Sequence, residues 1–171
     1  MKKILLEGLP GVGKTTLILA IAERLKLRRI GGFYTGEIRE GSKRVGFSIT
    51  NFKGESGILS HISIKSGPRV GKYKVDLKTL EKIGVEALER AMTEAEVILI
   101  DEIGKMEMFS QRFRETVMRC FDSPKPIVAT IILRPHPFAD KLKARPDVEL
   151  IRVTERNREE LADRIVKGMG I

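Results

Sequence analysis

The sequence predicts an α/β fold: a mostly parallel sheet flanked by helices on both faces, with an antiparallel β-hairpin addition. Three observations predict it. Short apolar runs alternate with helix-patterned segments almost throughout. The runs "EVILIDE" (96–102) and "PIVATIIL" (126–133) are continuously apolar, as central parallel strands buried on both faces are. Between residues 32 and 64 the texture changes to β-branched and aromatic runs separated by Gly, Ser, Asn and Lys clusters, the pattern of hairpins.

The elements follow in order. "KILL" (3–6) is a short strand that ends at the glycine-rich "GLPGVGKT" (8–15). "KTTLILAIAERLK" (14–26) is apolar on nearly every side, as a helix packed on a sheet is, and its basic end suits the negative pole of the helix dipole before Gly31 and Gly32 stop it. "REGSKRVGF" places a Gly-Ser turn between two antiparallel strands, and "KSGPRVGKYKVD" (65–76) is a basic connection. Asp76 is an N-cap for a helix in which Leu77, Leu80, Ile83 and Ala91 recur at helical spacing. After the strand at 96–102 come a helix (107–121), the strand at 126–133, the helix-like "PFADKLKAR", a strand (148–153) and a closing helix that starts at Asn157. No linker interrupts this series, so residues 1–171 are expected to form one domain.

Composition narrows the functions. Cys120 is the only cysteine, which excludes an internal disulfide framework and a cysteine-rich zinc site and suits a reducing compartment, the cytoplasm being the expectation. No apolar run reaches the ~18 residues that a membrane-crossing helix needs, and "ILL" is too short for the core of a signal peptide. Membrane partners are not expected. The net charge of +9 favours anionic ligands, but charged residues make up 32% of the chain and Trp is absent, a balance that also fits a heat-resistant surface rich in ion pairs. The second reading is preferred, so nucleic acid is not a favoured partner.

The chemistry sits in two segments. "GLPGVGKT" follows a strand and opens a helix, where Gly8, Gly11 and Gly13 let backbone N–H groups converge on a phosphate and the helix start adds its own free N–H groups. Lys14 reaches the β- and γ-phosphates of a nucleotide there, Thr15 offers a hydroxyl to Mg²⁺, and Thr16 approaches the α-phosphate. Leu9, Pro10 and Val12 complete the loop. Asp101, at the carboxyl end of an apolar strand, is placed to hold a water of the Mg²⁺ shell, and Glu102 next to it is placed to orient a water for in-line attack. The alternative for Glu102 is a surface pair with Lys105. Charge developing on the transferred phosphoryl group calls for further cations, and among Arg134, Lys141, Lys143 and Arg145 in "LRPHPFADKLKARPD", Arg134 is the best candidate. Thr154, Asn157 and Arg158 lie where a base would be seated, although Asn157 with Glu160 also fits a capping box. His61 and His136 have no metal-spaced companions, and Cys120 is expected in the core.

The blocks "LPGVGKTTL", "GGFYTGEIREGSKRVGF", "VGKYKVD", "ILIDEIGKME" and "RPDVELIRVTERNR" together resemble the small phosphate-loop nucleoside-triphosphatase family first known from thermophiles, which includes the human cancer-related nucleoside-triphosphatase. The resemblance implies a RecA-like sheet with the hairpin addition, and Mg²⁺-dependent hydrolysis of several nucleoside triphosphates with loose base preference. It also implies a second nucleotide segment made of Ile98, Leu99, Ile100, Asp101, Glu102, Ile103, Gly104 and Lys105. Tyr34, Glu37, Arg39 and Lys72 either line the site or pair within the β ribbon. A nucleotide or nucleoside kinase and an RNA- or DNA-associated ATPase are the alternatives; the first needs an acceptor pocket, and the second lacks an aromatic-basic recognition motif. A monomer is expected.

Overall fold

The computed structural model describes residues 1–171. Strand β1 (Lys3–Glu7) is buried throughout and leads through the glycine loop into helix α1 (Lys14–Arg24). Three strands follow: β2 (Ile30–Glu40), β3 (Lys43–Asn51) and β4 (Ser56–His61). Two short strands, β5 (Arg69–Val70) and β6 (Tyr73–Val75), lie in the segment expected to be only a connection. Runs of two and three residues are too short to show a strand period, and only pairing with neighbours reveals them.

Asp76 caps the next helical segment, its Oδ1 accepting the Thr79 N–H at 3.1 Å. That segment runs from α2 (Leu77–Thr79) through a π-helical turn at Leu80–Val85 into α3 (Glu86–Glu94). Strand β7 (Val97–Ile103) leads to a 3₁₀ turn at Glu107–Phe109 and helix α4 (Gln111–Asp122), which starts later than the pattern suggests because Ser110 caps it by accepting the Phe113 N–H at 3.1 Å. Strand β8 (Ile127–Ile131), helix α5 (Pro137–Lys143), strand β9 (Val148–Arg152) and helix α6 (Arg158–Met169) complete the chain. His136 caps α5 through Nδ1, which accepts the Phe138 N–H at 3.2 Å.

All nine strands join one mixed sheet in the order β5-β6-β4-β3-β2-β7-β8-β1-β9. Strand β2 is the junction. Its start, Ile30–Phe33, pairs in parallel with β7, while Phe33–Glu40 pairs antiparallel with β3. The antiparallel part is therefore four further strands continuing the same sheet, larger than the single hairpin expected. Along β7 the side chains alternate between two cores. Ile98 and Ile100 enter one core with Leu88, Phe113, Val117 and Leu142, from α3, α4 and α5. Val97 and Leu99 enter the other with Leu17, Ile18, Leu161 and Ile165, from α1 and α6. Helices thus cover both faces, and the parallel strands present their carboxyl ends along one edge, where ligands of open α/β sheets bind. No helix is long and apolar enough to cross a membrane.

At the end of β1, just before the glycine loop, Glu7 is buried and accepts hydrogen bonds from Lys143 Nζ at 2.7 Å and Arg152 Nη2 at 3.0 Å. Burial pushes this carboxyl up, but the bonds and charges of Lys143 and Arg152 outweigh it and hold the group below the usual carboxylate range. A depressed carboxyl stabilises the fold above its unfolded value, about 4.3, and that contribution is lost as pH falls further through the folded value. Glu7→Gln is expected to destabilise the protein by about 3 kcal/mol at pH 7, because it strands two cations, one of which, Lys143, is largely shielded from water. Urea unfolding of both proteins should show the gap shrinking below the unfolded value; a constant gap down to the folded value would sink this account.

Candidate active site

The loop at residues 8–13 turns into α1 through Gly13, whose φ of 108° is a left-handed conformation that glycine adopts without strain. No side chain caps α1 and no acid occupies its first turn, so its leading N–H groups remain available to an anion. Lys14 Nζ folds back across the loop and donates to the carbonyl oxygens of Gly8 at 2.8 Å and Leu9 at 3.0 Å. Leu9, Pro10, Gly11 and Thr16 are exposed, Gly8 is buried, and Val12 and Gly13 are half-buried.

Asp101 lies at the end of β7, 1% exposed and without a cationic partner. Three threonines from three strands or helices surround it. Thr15 Oγ1 donates to Oδ2 at 2.8 Å, Thr130 Oγ1 donates to Oδ1 at 2.7 Å, and both the N–H and the hydroxyl of Thr35 reach Oδ2 at 3.4 Å. Burial pushes this carboxyl up, while the bonds from Thr130, Thr15 and Thr35 work against the shift. Adjacent strand residues normally face opposite sides, yet Glu102 also serves this edge. The reason is a bulge: Ile100 pairs with Ala129 and Ile103 with Ile131, which sets Asp101 and Glu102 together opposite Thr130. Their shared peptide bond is cis. Glu102 is half-buried and makes no hydrogen bond or ion pair; burial raises its carboxyl, the charge of Asp101 raises it further, and Lys14 opposes both. Lys105 is exposed and pairs with nothing, so the surface pair considered for Glu102 is not formed.

The side chains of Ile98, Leu99, Ile100 and Ile103 are fully buried in the two cores. They hold the acids in place and do not line a cleft. Arg134 is exposed and unpaired in the connection beyond the carboxyl end of β8. Of its neighbours, Lys143 is committed to Glu7, and Arg145 to Asp122 and Asp147 at 2.8 and 2.9 Å. Arg158 Nη1 donates to the Val12 carbonyl at 3.0 Å, which seats the turn after β9 against the glycine loop. Asn157 does not form the capping box: its Oδ1 accepts from the Thr154 N–H at 2.8 Å and its Nδ2 donates to the Arg152 carbonyl at 2.8 Å. Tyr34 packs on Phe52, Glu37 pairs with Arg39 and Arg44, and Lys72 lies over the Tyr73 ring, so the ribbon residues pair among themselves. Cys120 is buried and burial pushes its thiol up to about 12.

Three residues around the acids escape a reading of motifs. Thr130 is the polar residue of an apolar strand, Thr35 sits within the β-rich block, and Glu107 follows the acid pair by a turn. Thr35 and Glu107 fall inside two of the blocks that carry the family resemblance, and the only signal at Thr130 is a polar side chain where the local pattern expects an apolar one.

Two hard oxygen donors, Thr15 Oγ1 and Asp101 Oδ2, meet at 2.8 Å with no protein cation to neutralise the acid. That donor chemistry fits a small divalent cation.

Fold and site together define an α/β protein built around a glycine loop and an acid pair at one sheet edge. The chain belongs to the NTPase family, whose model matches residues 3–166. It is 51% identical over 164 residues to nucleoside-triphosphatase THEP1 of Thermotoga maritima, covering 96% of this chain and 93% of that one. The Methanocaldococcus jannaschii protein of the same name is 43% identical over 98% of this chain and 99% of its own length. Among solved structures, THEP1 from Aquifex aeolicus superposes with a TM-score of 0.89 at 40% identity, covering 96% of this chain and 97% of that chain. A human cancer-related nucleoside triphosphatase gives 0.84 at 38% identity, covering 99% of this chain and 97% of that chain.

Proposed function

We propose that this protein is a phosphate-loop enzyme of RecA-like fold that hydrolyses nucleoside triphosphates to the diphosphate and phosphate, requires Mg²⁺ and discriminates weakly between bases. The observation that carries the proposal is the meeting of Lys14, Thr15, Asp101 and Glu102 at one edge of the sheet, with the Thr15–Asp101 bond at 2.8 Å and Glu102 unpartnered beside it.

Residues 8–15 cradle the phosphates, and Lys14 exchanges two loop carbonyls for phosphate oxygens, a stronger partner for an ammonium group. Thr15 and Asp101 hold Mg²⁺, which when bound neutralises charge on the phosphates. Glu102 orients the attacking water and takes its proton; a carboxylate with no other partner is free to do so. Arg134, an unpaired and exposed side chain, supplies additional positive charge to the transferred group. The turn that carries Arg158 seats the base, and because the Asn157 amide is spent on Thr154 and Arg152, little remains there to read one base's edge.

The test is phosphate release from ATP, GTP, CTP and UTP with Mg²⁺ and with EDTA. Release from all four, absent in EDTA, is expected without any acceptor. Turnover that required a nucleoside or nucleotide acceptor would replace this reading with a kinase, and turnover seen only with RNA would replace it with a nucleic-acid-associated ATPase.

A further inference from the structure

Of the three threonines around Asp101, Thr130 stands apart. Its hydroxyl is the only group bonded to Oδ1, at 2.7 Å, whereas Thr15 and Thr35 both address Oδ2, at 2.8 and 3.4 Å. Thr130 and Asp101 are both buried, so bulk water does not substitute for this bond. The rest of β8 is apolar: Ile127, Val128, Ala129 and Ile131 are fully buried in the two cores. A hydroxyl among such neighbours costs free energy unless it is hydrogen-bonded, and valine has nearly the same shape without that cost. The hydroxyl of Thr130 makes one hydrogen bond, and it goes to Asp101. Packing of the strand would be served by valine; the hydroxyl serves the acid.

Its place is fixed by the sheet. Strand β8 lies between β7 and β1, Thr130 pairs with Leu6 of β1, and Ala129 and Ile131 pair with Ile100 and Ile103 on either side of the bulge that carries the acids. A side chain on a strand paired along both edges holds its partner more accurately than one on a loop. Thr15 is itself assigned to the cation, and the Thr35 contacts are long, so the Thr130 bond is the one short contact to Asp101 that belongs to the protein alone. With Oδ1 held, rotation of the carboxyl group is restrained and Oδ2 stays directed at Thr15 Oγ1.

We infer, on the reading in which Thr15 and Asp101 hold Mg²⁺, that Thr130 is a positioning residue for that site: its hydroxyl holds Oδ1 of Asp101 so that Oδ2 remains presented beside Thr15 Oγ1. Hydrogen bonds behind metal-binding groups change metal affinity by about 10- to 100-fold.

Thr130→Val removes the hydroxyl and keeps the shape, while Thr130→Ser keeps the hydroxyl and removes the methyl group. The readout is the Mg²⁺ concentration at half-maximal gain in binding of a fluorescent non-hydrolysable ATP analogue, followed by anisotropy and independent of turnover. Thr130→Val is expected to raise that midpoint about 10- to 100-fold and Thr130→Ser by at most about threefold. Analogue binding in EDTA should match the parent in both, because the hydroxyl bonds only to Asp101. A folded Thr130→Val with the parent's midpoint overturns the inference. So does a Thr130→Ser as impaired as Thr130→Val, since packing of the methyl group would then be what matters. If Thr130→Val does not fold, Thr130→Ala is measured in its place with the same expectation. Asp101→Asn separates the two levels. A parent-like midpoint there would overturn the assignment of Asp101 to the cation and the inference with it, whereas a raised midpoint there beside an unmoved one in Thr130→Val overturns the inference alone.

Discussion

Glu102→Gln should bind nucleoside triphosphates as the parent does and fail to cleave them, with kcat falling about 10²- to 10⁴-fold, the usual contribution of a positioned general base. Glutamine keeps the size of the side chain and its place in the β7 bulge, so the sheet and the loop are undisturbed. What it loses is the capacity to take a proton. Since Glu102 makes no hydrogen bond or ion pair in the folded chain, no structural partner is left stranded by the change. Removing a negative charge beside Asp101 should, if anything, ease triphosphate binding, because the two acids repel each other and both repel the phosphates. Equilibrium binding of a fluorescent analogue and single-turnover phosphate release measure the two quantities separately. Phosphate release at the parent rate would remove Glu102 from the chemistry.

Lys14→Ala should fail differently. Here affinity and turnover are lost together, because the ammonium group meets phosphate charge both before and during transfer; a loss in kcat/KM of about 10³-fold is expected, at the upper end for one electrostatic contact in a protected site. Its two present partners are the loop carbonyls of Gly8 and Leu9, and Lys14 is not fully buried, so stability should fall by less than about 1 kcal/mol. A thermal scan verifies that the variant is folded. Normal hydrolysis by the folded variant would mean that the phosphates are bound elsewhere on the molecule or that a contaminant does the work. The pair of variants is informative as a pair: one traps the triphosphate, the other barely holds it.

Several features were legible in the chain because they are local. The order of strands and helices follows from hydrophobic period, the starts of α1 and α2 from glycine and Asp76, and the candidacy of Lys14, Thr15, Asp101 and Glu102 from spacing and from position at element ends. The extent of the antiparallel region was not legible, since β5 and β6 are two and three residues long and exist only through pairing with β4 and each other. The commitment of Lys143 and Arg145 to Glu7, Asp122 and Asp147 was equally hidden, because those partners come from distant parts of the chain.

The surroundings of the acid pair show the same division. Thr35 and Thr130 reach Asp101 from β2 and β8, 66 and 29 residues away in sequence, and no local pattern marks them as its neighbours. The bulge that brings Asp101 and Glu102 to one edge is a property of the β7–β8 register, which requires both strands. By itself the sequence determined which residues are candidates for the chemistry and on which kind of element each sits, because periodicity, capping and motif spacing act over a few residues. Only the tertiary structure decided which of them meet and which are spent on ion pairs, because burial and hydrogen-bond partnership are set by segments far apart in the chain.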